Sequence, residues 1–262
     1  MPRGSAPSQE GEVVVSDENQ NESQSPFTRP GFIAAAIVVA LIVVCGIILV
    51  AVNVGKGSPN AAPTSSTSTS PSVISSPGPV SGDSSVCGLR GVQLSGTVSA
   101  APETSWKYQD VLAYPTSQTA GPGATAASGY RYCFQHTPEG ALFASANFAI
   151  MSFDQSLRST WLPYVLAPGQ NRDSLLSSGL NAANPSGIRA SIAGFRVLSY
   201  DGEHAQVDVA FQATTSGQIV TGSFVAKLIW SGGDWKLDSS AQNPAQVDQL
   251  PNLAGYTAWA VG

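Results

Sequence analysis

The stretch that decides the fold runs from Ile188 to Leu237 and reads IRASIAGFRVLSYDGEHAQVDVAFQATTSGQIVTGSFVAKLIWSGGDWKL. Apolar and polar residues alternate along most of it, which is the period of a half-buried β-strand. Turn residues interrupt the alternation at Asp201-Gly202, at 214–217 and at 231–234, and Asp-Gly strongly favours a hairpin. The stretch therefore predicts an antiparallel meander with three hairpin turns.

Helices are expected before this meander. Thr137 suits an N-cap, Pro138 the first helical position and Glu139 the positive end of the helix dipole. The apolar residues expected on or beside one buried face of this helix are Leu142, Phe143, Ala146, Ala149, Ile150 and Phe153.

Two shorter helices are predicted after it. Asp154 is suited to cap one that carries Leu157, Trp161 and Val165, and the other runs from Asn171 to Leu176 and ends at Gly179. Helices followed by a meander predict an α+β fold, in which the helices pack on one face of a curved antiparallel sheet.

A membrane anchor is expected nearer the start of the chain, at residues 31–54. Phe32 to Val52 carries no charge, and as a helix it is roughly 30 Å long, the hydrocarbon thickness of a bilayer. A buried core helix of this length rarely lacks a polar face. A cleaved signal peptide normally has a shorter apolar core and no long acidic tail before it.

The remaining segments follow from composition. Residues 1–28 are polar and acidic and predict a disordered cytoplasmic tail, and residues 55–85 are rich in Ser, Thr and Pro and predict a flexible linker. The domain is divided into an irregular subregion at 86–136 with one or two short strands, the helices and meander at 137–240, and a C-terminal tail at 241–262. That tail, with Tyr256 and Trp259, is expected to cover a pocket mouth or a neighbouring protomer.

Two cysteines indicate on which side of the membrane the domain lies. Cys87 and Cys133 both follow the span, and disulfides persist outside the cytoplasm. If they pair, the bond closes the irregular subregion; two free buried thiols are the alternative. The predicted location is therefore a single-pass cell-membrane protein with its N-terminus in the cytoplasm and its C-terminal domain outside.

No catalytic, cofactor or metal signature is present in the sequence. His136 and His204 belong to no cluster with metal-ligand spacing, and nucleophile-elbow and phosphate-loop motifs do not occur. The net charge of −5, with scattered Lys and Arg, argues against direct nucleic-acid binding. Asp208 alternates opposite the apolar residues of its strand, so it is expected to face solvent or a partner. The alternative is that the polar face of the strand lines the interior of the domain, which would make Asp208 a candidate general base.

The ending Leu228-Ile229-Trp230-x4-Trp235-Lys236-Leu237, after a helical region and long antiparallel strands, resembles the nuclear-transport-factor-like cone fold of the ketosteroid isomerase and scytalone dehydratase superfamily. The resemblance implies a cone of helices packed on a curved sheet. Enzymes of that superfamily aim carboxylates or histidines into the cone, and no such pair can be assigned in this sequence.

Other stretches resemble an uncharacterised family of actinobacterial single-pass membrane proteins, many of them carried on integrative or conjugative elements. The resemblance covers roughly residues 85–240 and the anchor, and its main stretches are AYPTS at 113–117, GPGA at 121–124, CFQHTPEGALFA at 133–144 and YVLAPG at 164–169. It implies association with a DNA-transfer apparatus of the type IV secretion kind, whose machines contain assembly subunits of this anchor-plus-domain plan.

Three functional hypotheses result. The leading one is a membrane-anchored, non-enzymatic scaffold that needs no cofactor and binds other envelope or conjugation-apparatus proteins, with a homo-oligomer also open. The second is an extracytoplasmic domain that binds or senses a small molecule in the cone pocket. The third, an exported enzyme, requires a buried acidic residue or histidine that points into the cone.

Overall fold

The computed structural model describes residues 84–182, 187–215 and 217–261. The predicted tail 1–28, the predicted span 31–54 and all but the end of the linker 55–85 lie outside these residues. Within the described ranges, no helix has the length and apolarity needed to cross a membrane.

The described residues form three α-helices, one 3₁₀ turn and ten strands. The helices are α1 Pro138–Met151, α2 Arg158–Val165 (which follows the 3₁₀ turn Gln155–Leu157) and α3 Arg172–Leu180. The strands are β1 Ser105–Gln109, β2 Leu112–Thr116, β3 Ala124–Thr125, β4 Arg131–Tyr132, β5 Arg189–Tyr200, β6 His204–Thr215, β7 Gln218–Ser231, β8 Asp234–Leu237, β9 Ala245–Gln249 and β10 Thr257–Ala258.

Eight of these strands form one curled sheet. Its order is β1-β2-β5-β6-β7-β8, with β9 beside β7 and β10 beside β5, while β3 and β4 pair separately. The predicted meander is β5 to β8, and every pair in it is antiparallel. The α+β class is therefore confirmed, and the sheet curls into a half-barrel around the helical region.

Helix α1 fills the concave face of the sheet. Its N-terminus is the predicted one: Thr137 is the N-cap, and its hydroxyl accepts a hydrogen bond from the amide of Gly140 at 3.0 Å. The prediction of one buried face is wrong, because every α1 residue except Glu139 is buried. Small residues such as Ala144 and Ala149 let the helix touch sheet on several sides, since the half-barrel wraps around it.

Two of the predicted segments contribute strands to the main sheet. Within 86–136, β1 and β2 form a hairpin that belongs to the main sheet, through a parallel contact of Leu112 with Ala190 in β5. The C-terminal residues 241–262 are no simple tail, because β9 pairs with β7 and β10 pairs with β5. Trp259 follows β10 and lies in the core against Phe143.

Candidate functional site

The two cysteines predicted as a pair form a disulfide, Cys87–Cys133. It holds the first described residues against the end of β4. Beside it, the amide of Val86 donates a hydrogen bond to the carbonyl of Gly233 at 2.7 Å. The chain therefore enters the domain at the turn between β7 and β8, and this end of the sheet is called the entry end.

A buried carboxylate supports that end. Asp234 accepts hydrogen bonds from the amides of Cys133 and Phe134 and from the hydroxyl of Tyr164, at 2.7–2.8 Å. A fourth comes from the amide of Trp235 at 2.9 Å. Burial raises the pKa of this carboxyl, while the amide and hydroxyl donors act in the opposite direction. Its acceptor sites are occupied by the protein itself, which indicates a structural role; the sequence marks Asp234 only as a turn residue.

Asp208 is also buried, which corrects the expectation that it faces solvent. It is 1 % exposed and accepts hydrogen bonds from Ser223 at 2.6 Å and from Tyr256 at 2.8 Å. Arg196, opposite it on β5, forms an ion pair with the same carboxylate. Tyr256 comes from the C-terminal segment, so a residue nearly 50 positions away along the chain covers the side that strand alternation leaves exposed.

A buried cation links β4 to α1 and β1. The Arg131 guanidinium donates to Asn147 at 2.7 Å and to Gln109 at 2.5 Å, and it lies 3.9 Å from the ring centre of Tyr114. Burial lowers the pKa of Arg131 to about 10. Asp154, which also caps the 3₁₀ turn as predicted, accepts from the other side of the Gln109 amide at 2.6 Å.

The histidines are separate from these groups. His136 is buried and its ring stacks on Trp230, with 4.0 Å between ring centres. His204 is half exposed on its hairpin, near Asp201. Among the described residues, no three His, Cys, Asp or Glu side chains lie together in a way that would hold a metal ion.

The end of the sheet opposite the entry end carries exposed apolar side chains. Tyr108 is 62 % exposed, Val111 38 % and Ile219 69 %. The register brings them together: Leu112 lies beside Ala190, Ala190 beside Ala213, and Ala213 beside Val220. Tyr108, Val111 and Ile219 are called the distal rim, and they line a groove of about 240 Å³ together with Ala113, Arg189 and Val261.

The distal rim and the entry end lie at opposite ends of β7. Ile219 is the second residue of β7 and Ser231 is the last, which separates them by roughly 40 Å at 3.3 Å per residue. The sequence predicts Ile219 in the long strand of the meander, and it places Tyr108 and Val111 in the irregular subregion with one or two short strands. The signal that would have predicted the β1–β2 hairpin is its two-residue turn Asp110-Val111, in which Asp110 takes a positive φ of 53°.

A polar cleft of about 420 Å³ lies where the β1–β2 hairpin meets the start of α1. Its lining includes Glu103, Ser105, Thr116, Ser117, Gln118 and Glu139. Glu139 is partly buried, burial raises the pKa of its carboxyl, and it makes no hydrogen bond to another described side chain. The cleft lies at the edge of the sheet. The concave face, in which the cone pocket was expected, is occupied by α1.

One family model, described as Domain of unknown function (DUF8175), matches residues 66–258. The match covers the disulfide, α1, the meander and both C-terminal strands. No curated protein and no solved structure matches the chain.

Proposed function

The chain belongs to the DUF8175 family, and we propose that it acts as a membrane-anchored, non-enzymatic scaffold in a cell-envelope complex. The complex that we assign it to is a conjugative DNA-transfer apparatus of the type IV secretion kind. This proposal includes the membrane anchor predicted at 31–54. It also includes the relation of the domain to the nuclear-transport-factor-like cone fold and the resemblance of the chain to proteins of integrative and conjugative elements.

The distal rim is the observation that carries it. Large apolar side chains that stay exposed together on a folded domain favour a protein contact, because burying them removes apolar surface from water. Tyr108 and Val111 come from the β1–β2 hairpin and Ile219 comes from β7, and the folded sheet brings the two elements together. Tyr108 also supplies the large, partly polar ring that is enriched in interfaces.

The position of the rim fits a tethered scaffold. The chain enters at Gly233, and the rim lies roughly 40 Å away along β7. In this proposal the Ser/Thr/Pro linker predicted at 55–85 lets the domain turn, so that the rim reaches subunits beyond the membrane surface. The buried carboxylates support the same proposal, since Asp208 and Asp234 are saturated by internal donors instead of being directed at an open pocket.

Co-purification from native membranes tests the proposal. The full-length protein is expected to bring down other envelope proteins, and Tyr108→Ser combined with Ile219→Ser is expected to reduce that recovery about tenfold or more. Leu180→Ser is the matched control, since Leu180 is an exposed apolar residue on α3, outside the rim. Recovery of the chain alone, or equal recovery with all three proteins, would contradict the proposal.

The polar cleft favours a second candidate function, the binding of a small ligand. Its lining contains two carboxylates and no Lys or Arg among the residues named above, so it suits a ligand that donates hydrogen bonds, such as an amine or a polyol. Ethanolamine and glucose are suitable probes, and amide chemical shifts of 103–119 are the readout. Shifts that Glu139→Gln removes would support the cleft as a binding site, and unchanged spectra with both probes would exclude these two classes.

A further inference from the structure

The outer edge of β1 is an unpaired sheet edge next to the distal rim. β1 is the first strand of the sheet, and among the described residues it pairs only with β2. Gln109 and Leu112 close a two-residue hairpin, and the closing pair of such a hairpin exchanges backbone hydrogen bonds. Alternate residues of β1 therefore direct their backbone groups toward β2, and the others direct them outward.

The register shows which residues those are. The backbone N–H and C=O groups that point toward β2 are those of Ser105, Lys107 and Gln109. In agreement with this, the hydroxyl of Thr116 in β2 donates to the carbonyl of Ser105 at 2.8 Å. Trp106 and Tyr108 then present their N–H and C=O groups to the open side. In the described part of the chain, no backbone or side-chain hydrogen bond reaches these four groups.

The side chains of β1 define what fits beside it. An added strand places its side chains next to those of β1 on both faces of the sheet. One face presents Tyr108, which is 62 % exposed, and the other presents Lys107, which is exposed and forms no ion pair with a described residue. An incoming segment is thus complementary when an apolar side chain meets Tyr108 and a carboxylate meets Lys107.

We propose that a partner protein binds the distal rim by adding an extended segment to the open edge of β1, with an apolar residue beside Tyr108 and an acidic residue beside Lys107. The inference rests on the proposed scaffold function and specifies how the rim is used. Backbone hydrogen bonds to Trp106 and Tyr108 supply the general affinity, and the two flanking side chains supply selectivity.

A second copy of this chain fits the edge less well. Two β1 strands that pair antiparallel through their outward backbone groups place Trp106 of each copy opposite Tyr108 of the other. In this register the two Lys107 residues lie directly opposite each other. Like charges directly opposite are destabilising. The partner is therefore a different protein, and the self-pair becomes an outcome of the test.

A photocrosslinking residue at Val111, in the turn next to β1, reports on the contact in the full-length protein in native membranes. The substitutions Tyr108→Ala and Tyr108→Pro both remove the aromatic ring, but only proline also removes the outward backbone N–H. An edge strand tolerates proline where its N–H would point away from the sheet. The expected result is a crosslink to an acidic-apolar segment of another protein, with a yield about fivefold lower for Tyr108→Pro than for Tyr108→Ala. Lys107→Glu is expected to lower the yield about tenfold, and Lys107→Arg to preserve it.

The outcomes separate the inference from the function on which it rests. Equal yields for Tyr108→Ala and Tyr108→Pro, with equal thermal stability, would overturn strand addition and leave rim docking in place. A crosslink to a second copy of the chain would overturn the choice of partner. The absence of any crosslink from Val111 in the unmodified background would contradict the proposed function itself.

Discussion

At the scale of single residues, the two buried carboxylates of the described chain, Asp208 and Asp234, have their hydrogen-bonding capacity used within the domain. Asp234 accepts three backbone amides and one hydroxyl, and Asp208 accepts from Ser223, Tyr256 and Arg196. Buried charges are tolerated when they are paired in this way, and removing one such partner is costly.

Asp234→Asn tests this interpretation directly. The amide keeps the size of the side chain but turns one acceptor into a donor, which then faces backbone N–H groups or the hydroxyl of Tyr164. We expect the free energy of unfolding to fall by about 2–4 kcal/mol in urea denaturation. Asp248→Asn, at an exposed position of β9, is the control and is expected to change it by less than about 0.5 kcal/mol.

Glu139 gives a prediction on pH. Burial raises the pKa of its carboxyl in the folded chain, whereas in the unfolded chain the pKa of a glutamate is about 4.3. The folded state therefore holds this proton more tightly than the unfolded state does. Its contribution to stability is therefore full below that value and is lost as the pH rises through the folded pKa. Glu139→Gln is expected to gain stability relative to the unmodified protein between pH 4 and pH 7.

The measurement is the free energy of unfolding of both proteins at each pH. Glu103→Gln, an exposed carboxylate across the same cleft, controls for the loss of a surface charge. A Glu139→Gln protein that loses stability relative to the unmodified one over this range would contradict the direction of the shift.

The burial of Asp208 could be predicted only in part from the sequence. The alternation of β6 correctly puts Asp208 on the face opposite the core residues Val207 and Val209. It cannot reveal that Tyr256, from a segment without strong β pattern, crosses that face and buries the carboxylate. Local periodicity reports the two faces of a strand, and long-range packing decides whether each is exposed.

At the scale of elements, local patterns predict the starts and turns of helices and strands well. The N-cap at Thr137, the capped turn at Asp154 and the β5–β8 hairpins come from residues close together in sequence. Helix α1 is different, because its burial on all sides depends on a sheet that curls around it. The pairing of β2 and of the short strand β10 with β5 is not predicted, since it joins parts of the chain that are far apart in sequence.

The C-terminal segment is expected to be essential for the folded state. Trp259 is buried against Trp106, Phe143 and Phe195, and its indole N–H donates to Thr104 at 2.8 Å. Trp259→Ala is expected to lower the free energy of unfolding by about 3–5 kcal/mol, since it leaves a cavity in the core. Ala260→Ser, at the exposed next position, is the control in the same denaturation series, and equal stability of the two variants would show that the segment is only a tail.

At the scale of the whole molecule, the domain has an entry end closed by a disulfide and a distal rim with exposed apolar groups. Cys87 and Cys133 are 46 positions apart, and the chain-entropy model gives a crosslink of this span about 4 kcal/mol. Replacing both by serine is expected to lower the free energy of unfolding by about that amount. A reducing agent is then expected to destabilise the unmodified protein and leave the double variant unchanged; equal stability in all cases would exclude a supporting role for the bond.

The most direct test of the central claim is photocrosslinking from the distal rim in the full-length protein in native membranes. A photoreactive residue at Ile219 is compared with one at Leu180, because both positions are exposed and apolar but only Ile219 belongs to the rim. We predict that Ile219 yields a specific crosslink to another envelope protein and that Leu180 does not. Equal labelling from both positions, or none from Ile219, would contradict the claim that the rim is where this protein meets its partner.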